Sequence, residues 1–358
     1  MQWFLTIKNT ISEFTFSSDR TINSIKTAIA CFIALCLVNI PGSPLNQWTI
    51  ISVVVVMSAQ VSIGSILKKS YDRIIGTLLG AAIAGISVWI FKSHVLILDT
   101  ILILSCLIFA YVASGPGDRA QVASLGSAAA IMILLARPPS LKIVFLRPTD
   151  IIIGILIALL VTTFVFPIRA TVRLKMSLGE GLEQLIDLFS LEDSVNNAET
   201  AEQIKKIEEG LLGVFVKQRK LMKDSEQEHH NKIKKSTLYE LIKHERQLHR
   251  AILLSTYALQ KDVYVATLIH DLPIYQKLKQ DIIHFLGTLA QILKDQQLKT
   301  IPAIPSINFE ALLTTLRGLS TAEQSFENRL YIDAFIVSMQ FFIDELVILS
   351  QKIQGMYV

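Results

Sequence analysis

Long apolar segments dominate the chain as far as residue 168, and amphipathic segments follow them. A helix that crosses a bilayer needs about 20 apolar residues, with a range of about 17–25. Six segments reach or approach that length, namely residues 21–40, 48–67, 74–91, 95–114, 119–136 and 149–168. The pattern therefore predicts an all-α membrane protein with a six-helix transmembrane domain over residues 21–168.

Residues 169–358 follow a different pattern, with apolar side chains every three or four positions, as on one face of a soluble helix. No uninterrupted apolar segment of spanning length remains there. Helices are predicted near residues 172–191, 198–225, 231–260, 272–297, 307–316 and 321–354. We expect these helices to form a cytoplasmic bundle.

The first 20 residues do not read as a signal peptide, because they lack a basic start followed by a long apolar core. Apolar residues instead recur at helical spacing, at Trp3, Phe4, Ile7, Ile11 and Phe14. Residues 1–20 therefore predict an interfacial segment lying at the membrane surface.

Two parts of the apolar half resemble each other at a shift of 78 residues. DRIIGTLLGAAIAG (72–85) aligns with DIIIGILIALLVTT (150–163), which pairs Asp72 with Asp150 and Gly76 with Gly154. The alignment superposes the third span on the sixth and the second on the fifth. Because three spans is an odd number, the two halves would be inverted repeats, an arrangement common in transporters.

The composition agrees with a membrane protein that carries a soluble domain. The chain is 51% hydrophobic and 18% charged, with a mean hydropathy of +0.49, whereas soluble proteins carry about 25% charged residues. Residues 1–170 have a net charge of +6 and residues 171–358 a net charge of −2. Since the excess positive charge lies in the apolar half, it argues against a nucleic-acid partner.

Basic residues also predict the orientation. With both termini in the cytoplasm, ten lysines and arginines near the spans lie on the cytoplasmic side and four on the other. The four exceptions are Lys92, Arg137, Lys142 and Arg147. We therefore expect both termini to be cytoplasmic.

A tryptophan-headed span at Trp48, the motif RxxGTxxG at Arg73–Gly80 and a sixth span ending in Phe166–Pro167 carry a resemblance. These features resemble the fusaric acid resistance and aromatic acid exporter superfamily, with plant aluminium-activated malate transporters as distant relatives. The resemblance implies a bacterial inner-membrane exporter or channel for organic anions. It also implies a homodimer, since many bacterial relatives carry the unit twice, and it leaves room for accessory envelope proteins.

Basic residues in or near the spans are candidates for an anion pathway: Arg73, Arg119, Arg137, Arg147, Lys69 and Lys26. A charge within a bilayer costs a few kcal/mol or more unless it is paired or hydrated. The planar guanidinium of arginine suits carboxylates. The alternative is that these residues end helices at the headgroups, with the stem of Lys26 reaching outward.

Three aspartates accompany these cations. Asp72 and Asp150 are either local charge partners at helix N-termini or groups that hold an arginine or carry a coupled proton. Asp99 either reaches the outer interface or takes part in a proton relay. The sequence leaves these alternatives open.

Small residues at four-residue intervals permit close contact between membrane helices. Gly76, Gly80 and Ala84 form such a face on the third span, and Gly154 is the repeat counterpart of Gly76. We expect the third span to pack against another helix of its own repeat.

Catalytic interpretations fail on spacing. In HERQLH the histidines His244 and His249 are five residues apart, about 140° around a helix, so they do not form the metal pair of a zincin. The chain has no Walker A motif, and we expect no enzyme, cofactor or metal. The leading hypothesis is transport of organic anions. Its rival is a membrane-anchored protein whose helical domain recruits partners.

Overall fold

The structure is a computed structural model that describes residues 18–58, 62–115, 119–136, 140–192, 198–228, 235–295, 310–321 and 326–356. The chain divides into two compact units, Met1–Arg169 and Ala170–Val358. Both are helical throughout the ranges that are described, without strands. The interfacial segment expected before residue 18 lies outside these ranges.

The described residues of the first unit form six helices. They are α1 (Ser18–Val38), α2 (Gln47–Met57), α3 (Ile63–Phe91), α4 (Val95–Ala113), α5 (Arg119–Leu134) and α6 (Leu141–Phe164). Four of them, α1, α3, α4 and α6, are long and apolar enough to cross a membrane. The other two, α2 and α5, are apolar but shorter.

The second predicted span is not one helix. Helix α2 ends at Met57, and α3 begins at Ile63 after Ser62, whose hydroxyl accepts a hydrogen bond from the Ser65 amide. Residues 68–73 (KKSYDR), which separate the second and third predicted spans, are consequently part of α3. Hydropathy predicted the start of this helix after the charged residues, at residue 74. The N-cap Ser62 places the start earlier, and no glycine or proline interrupts the helix from Lys68 to Arg73.

Helix α6 also begins earlier than the sequence predicted. Its N-cap is Ser140, whose hydroxyl accepts from the amide of Lys142, and Pro148 lies inside the helix. Pro148 is the eighth residue of the helix, so it removes the amide donor that would bond to the Val144 carbonyl one turn earlier. The basic residue before it, Arg147, and the acidic residue after it, Asp150, are therefore both held on a helix instead of in a loop.

The exit from α6 is fixed by backbone geometry. Phe166 has a φ of 46°, in the left-handed region that costs L-residues about 1–2 kcal/mol. Two residues later the carbonyl of Ile168 accepts a hydrogen bond from the amide of Ile63 at 3.0 Å. The FP segment therefore turns the chain so that the end of this unit contacts the start of α3.

Helices α3 and α5 meet backbone to backbone. A β-carbon on Gly76 would lie 2.5 Å from the carbonyl oxygen of Val122, and one on Gly80 would overlap the carbonyl oxygen of Gly126. The side chain of Ala84 is fully buried. Because α5 belongs to the other half of the predicted repeat, the expectation of a contact within one repeat was wrong.

A second close contact joins α2 and α6. A β-carbon on Gly154 would lie 2.5 Å from the carbonyl oxygen of Thr49 and 2.6 Å from the β-carbon of Ser52. Helix α1 completes this cluster with a buried face of Lys26, Ala30 and Ala34. The small residue at position 154 thus brings polar positions of α2 directly against α6.

The second unit contains seven described helices. They are α7 (Ala170–Ser190), α8 (Ala198–Ser225), α9 (Lys235–Lys261), α10 (Val263–His270), α11 (Pro273–Lys294), α12 (Glu310–Thr321) and α13 (Phe326–Gln354). The sequence did not predict α10, a short helix capped by Asp262, whose carboxylate accepts from the Tyr264 and Val265 amides. It lies between two predicted helices, residues 231–260 and 272–297.

The core of this unit follows the amphipathic pattern. The apolar face predicted on α7 is buried from Leu174 to Phe189. Phe189 stacks on Phe342 of α13 with ring centroids 5.3 Å apart, and Tyr275 meets Phe335 edge to face at 5.7 Å. These aromatic pairs tie α7, α11 and α13 into one core.

A fully buried carboxyl group lies beside that core. Glu245 on α9 is fully buried, and its carboxyl accepts a hydrogen bond from the Gln218 amide at 2.7 Å. Its other oxygen occupies the space that a β-carbon on Gly181 would need. Burial raises the pKa of Glu245 well above its usual value. The Gln218 hydrogen bond and the charge of Arg246 act in the opposite direction, but their effect on this pKa is smaller.

We expect Gly80→Ala to destabilise the first unit by about 1–3 kcal/mol, because the added methyl must push α3 away from the α5 backbone. Gly213→Ala on α8 is the matched control, since nothing lies within 4 Å of the added carbon. Thermal unfolding of the purified protein in detergent measures both. Equal stability of the Gly80→Ala variant and the wild type would contradict the close contact.

Because the folded-state pKa of Glu245 is raised, the folded chain holds a proton that the unfolded chain releases above about pH 4.3. We therefore expect the stability of the second unit to fall as pH rises from that value towards the raised pKa. Glu245→Gln, which keeps the shape but not the titration, should flatten this dependence. Denaturant unfolding of the full chain across this pH range tests it, and an unchanged slope in the variant would contradict the assignment.

Candidate functional site

Helix α2 begins at a buried carboxylate. Asn46 caps the helix by accepting from the Trp48 amide at 3.1 Å. Asp150 of α6 accepts from the Asn46 amide at 3.4 Å and from the Thr49 hydroxyl at 3.5 Å, and it is 1% exposed. A carboxylate is favoured there, because the amides of a helix N-terminus carry partial positive charge.

The middle of α2 meets a buried guanidinium. The hydroxyl of Ser52 donates to the carbonyl of Trp48 at 2.7 Å and accepts from Nη2 of Arg73 at 3.3 Å. Arg73 is 5% exposed, and its Nε has no hydrogen-bond partner within the described ranges. This arginine therefore lies in the interior of α3 and not at the start of the helix, and its Nε–H is available as a donor.

The C-terminal end of α2 meets two donors. The ammonium of Lys69 donates to the carbonyl and the hydroxyl of Ser58, at 3.2 and 3.3 Å. The side-chain amide of Asn23 on α1 donates to the carbonyl of Met57 at 3.4 Å. These contacts satisfy carbonyls that the end of a helix leaves without intrahelical partners, and the positive charge suits the negative end of the helix dipole.

A second arginine lies beside the start of α2. Nη1 of Arg147 donates to the side-chain oxygen of Asn46 at 3.4 Å, and its guanidinium carbon lies 4.9 Å from the centre of the Trp48 ring. Its Nε is buried and forms no hydrogen bond to any described residue. The arginine is thus held by an aromatic face and an amide, and its Nε–H stays available as a donor.

Together these contacts form what we call the polar column, made of Asn46, Thr49, Ser52 and Ser58 with Asp150, Arg147, Arg73 and Lys69. The column follows α2 from its N-cap residue, Asn46, to its C-cap residue, Ser58. It places an acidic group at the positive end of the helix, a lysine at the negative end and arginines beside the start and middle. In chemical terms it offers guanidinium donors for an anion and one carboxyl group for a proton.

The other charged residues predicted as site residues are not part of the polar column. Lys26 is 1% exposed on α1 and Asp72 is buried on α3, so the stem of Lys26 does not reach outward as one alternative required. Arg119 is exposed at the first residue of α5, and Asp99 is half-buried on α4; neither helix contributes to the column. Arg137 lies outside the described residues.

The sequence did not single out the hydroxyl and amide partners Asn46, Thr49 and Ser52. Their spacing of three residues places them on one side of a helix, and this periodicity was the available signal. It was obscured because the whole segment from Trp48 is uncharged and apolar on average. Among the described residues, no three His, Cys, Asp or Glu side chains lie together in a way that could hold a metal.

The apolar helices define the class of the protein, a multi-pass α-helical membrane protein. Residues 29–161 match the family model described as fusaric acid resistance protein-like. The resemblance to the fusaric acid resistance family read from the sequence is thereby confirmed for this segment, which covers α2 to α5 completely, most of α6 and the C-terminal part of α1 from residue 29. The family and the apolar helices together indicate a membrane transporter or exporter. No curated protein matches the chain.

Proposed function

We propose that this protein transports organic anions, with aromatic carboxylates as the first candidates, along the polar column. One observation carries the proposal: two arginines on apolar helices, Arg73 and Arg147, each keep a buried Nε–H without a partner among the described residues. Arginine binds carboxylates through just such donors.

The energetics support a functional role for these charges. Placing a guanidinium within a membrane helix bundle costs a few kcal/mol or more, and such charges usually line a substrate or ion path. Among the described residues, Arg73 donates a hydrogen bond to one acceptor, the neutral hydroxyl of Ser52. A passing carboxylate would supply the compensating charge and accept from the unused donor.

The glycine contacts support the inverted repeat. In the predicted alignment α2 corresponds to α5 and α3 corresponds to α6. Under this correspondence the α3–α5 contact is the counterpart of the α6–α2 contact. Helix α3 packs on α5 through Gly76, and α6 packs on α2 through Gly154. With α2 and α5 as short members, six helices then form two repeats, and the polar column lies along one of the short helices.

The orientation with cytoplasmic termini gives the column a direction. Arg147 and Asp150 would lie towards the outer side and Lys69 towards the cytoplasm, with Arg73 between them. Without nucleotide-binding machinery, transport would be passive or coupled to protons, and Asp150 and Asp72 are the carboxyl groups available for coupling. We place the protein in a bacterial inner membrane as a homodimer, whose second copy completes the unit, and accessory envelope proteins remain candidate partners.

One observation favours the rival function. Both arginines also donate hydrogen bonds within the first unit, Arg73 to Ser52 and Arg147 to Asn46. These bonds would equally stabilise a helix bundle whose only role is to anchor the second unit. In that case the second unit recruits a partner, and no solute moves. Flux measurements separate the two functions.

The test is the flux of benzoate, with malate in parallel, in liposomes that contain the purified protein. We expect Arg73→Gln and Arg147→Gln each to lower the flux by about 10–100-fold, the loss of a hydrogen bond between charged groups. Arg119→Gln is the control, because Arg119 is exposed on a helix outside the column, and its flux should be unchanged.

Size-exclusion chromatography establishes that each variant remains folded. Wild-type flux in both column variants would contradict the proposed path. The absence of flux in the wild type, with any organic anion, would favour the anchor.

A further inference from the structure

Helix α9 of the second unit carries a line of basic side chains that continues with a leucine and a tyrosine. We call this line the basic ridge; it consists of Lys243, Arg246, Arg250, Leu254, Tyr257 and Lys261. Successive members are three or four residues apart, so they lie on one side of the helix. The ridge extends over about 27 Å, at 1.5 Å per residue. Arg246 is half-buried, and the other members are exposed.

The ridge has no negative charge of its own. The only carboxylates on α9 are Glu240 and Glu245. Glu240 forms an ion pair with Lys352 of α13, and Glu245 is buried in the core. None of the four cations of the ridge forms an ion pair with a described residue. This concentration of positive charge occurs although residues 171–358 have a net charge of −2.

Two of the cations are held in place by aromatic rings. Arg246 donates from Nη2 to the carbonyl of Phe215 at 3.3 Å, and its guanidinium carbon lies 5.4 Å from the centre of the Phe215 ring. The ammonium of Lys261 lies 5.2 Å from the centre of the Tyr257 ring. These contacts position the charged groups without neutralising them.

A cavity of about 160 Å³ opens between the basic side chains at one end of the ridge. Its lining consists of Tyr239, Ile242, Lys243, Arg246, Gln247 and Arg250. The Nε of Arg246 is buried and unpartnered among the described residues. The cavity is open to solvent and presents three cations, which suits a phosphate-sized anion attached to a larger body.

We propose that the basic ridge binds the anionic phospholipid headgroups of a bilayer. Cations interleaved with tyrosine and leucine are the chemistry of a protein surface that lies against headgroups, and each lysine or arginine near an anionic surface contributes to the attraction. The second unit follows the first directly in the chain, and the first carries the helices that could cross a membrane, so the chain itself tethers the ridge to a bilayer.

Other occupants fit the ridge less well. A second copy related by a two-fold axis would place the same surface against itself, and the cations would face cations. A dissolved small anion would use the cavity, but it would leave Leu254, Tyr257 and Lys261 without a role. A lipid surface engages the whole length of the ridge.

The experiment places the full chain in nanodiscs, in a background where Cys31, Cys36 and Cys106 are replaced. One variant carries an environment-sensitive fluorophore at Leu254→Cys on the ridge. The matched control carries it at Leu330→Cys on α13, since the two leucines are similarly exposed, at 58% and 55%. Discs of phosphatidylcholine alone are compared with discs that also contain phosphatidylglycerol, and nitroxide-labelled lipid serves as the quencher.

We expect lipid quenching at position 254 to appear with phosphatidylglycerol, to weaken at high salt, and to be absent at position 330. The triple variant Lys243→Gln, Arg250→Gln, Lys261→Gln should lose the dependence on phosphatidylglycerol, because each cation is expected to contribute about fivefold to the binding. All three side chains are exposed, so the variant should fold as the wild type does.

Three results would overturn the proposal. The first is a label at position 254 that stays in water in both kinds of disc. The second is shielding that is equal in both lipids and depends on two chains per disc, which would identify a second copy as the occupant. The third is displacement by inorganic phosphate at matched ionic strength, which would identify a site for dissolved anions.

Discussion

A short helix that ends at both termini inside an apolar unit must find partners for its free amides and carbonyls, and α2 is such a helix. Its N-terminal end meets Asn46 and Asp150, and its C-terminal end meets Asn23 and Lys69. Charged residues of α3 and α6 lie beside the ends and the middle of α2 and form hydrogen bonds with it or with its cap residues. This requirement explains why both neighbours continue as helices through segments whose charges suggested loops.

Close packing makes those contacts possible. Gly154 lets α6 approach the α2 backbone, and Gly76 and Gly80 let α3 approach α5. Side chains at these positions would separate the helices by several tenths of an ångström or more, which would lengthen hydrogen bonds that are already between 3.3 and 3.5 Å. Glycine packing and the polar column are therefore two aspects of one arrangement.

The sequence predicted those features that depend on average properties. Hydropathy located all six apolar helices of the first unit, and amphipathic spacing located six helices of the second. It misplaced boundaries where a single hydroxyl decides them, as at Ser62 and Ser140, because capping competes with charge in setting the start of a helix. It identified Arg73 and Arg147 as candidates by charge alone. It did not identify Ser52 and Asn46, because a polar contact between distant segments depends on packing, which a single sequence does not encode locally.

The central claim is that the column around Arg73 is open to a solute. Ser52→Cys, in a background without the three native cysteines, tests this most directly, because the new thiol replaces the hydroxyl beside the guanidinium. The measurement is the rate of its reaction with a small anionic thiosulfonate in the reconstituted protein. We predict modification, slowed by benzoate and faster than with the cationic analogue. A thiol that reacts with neither reagent would show a closed bundle and contradict the account.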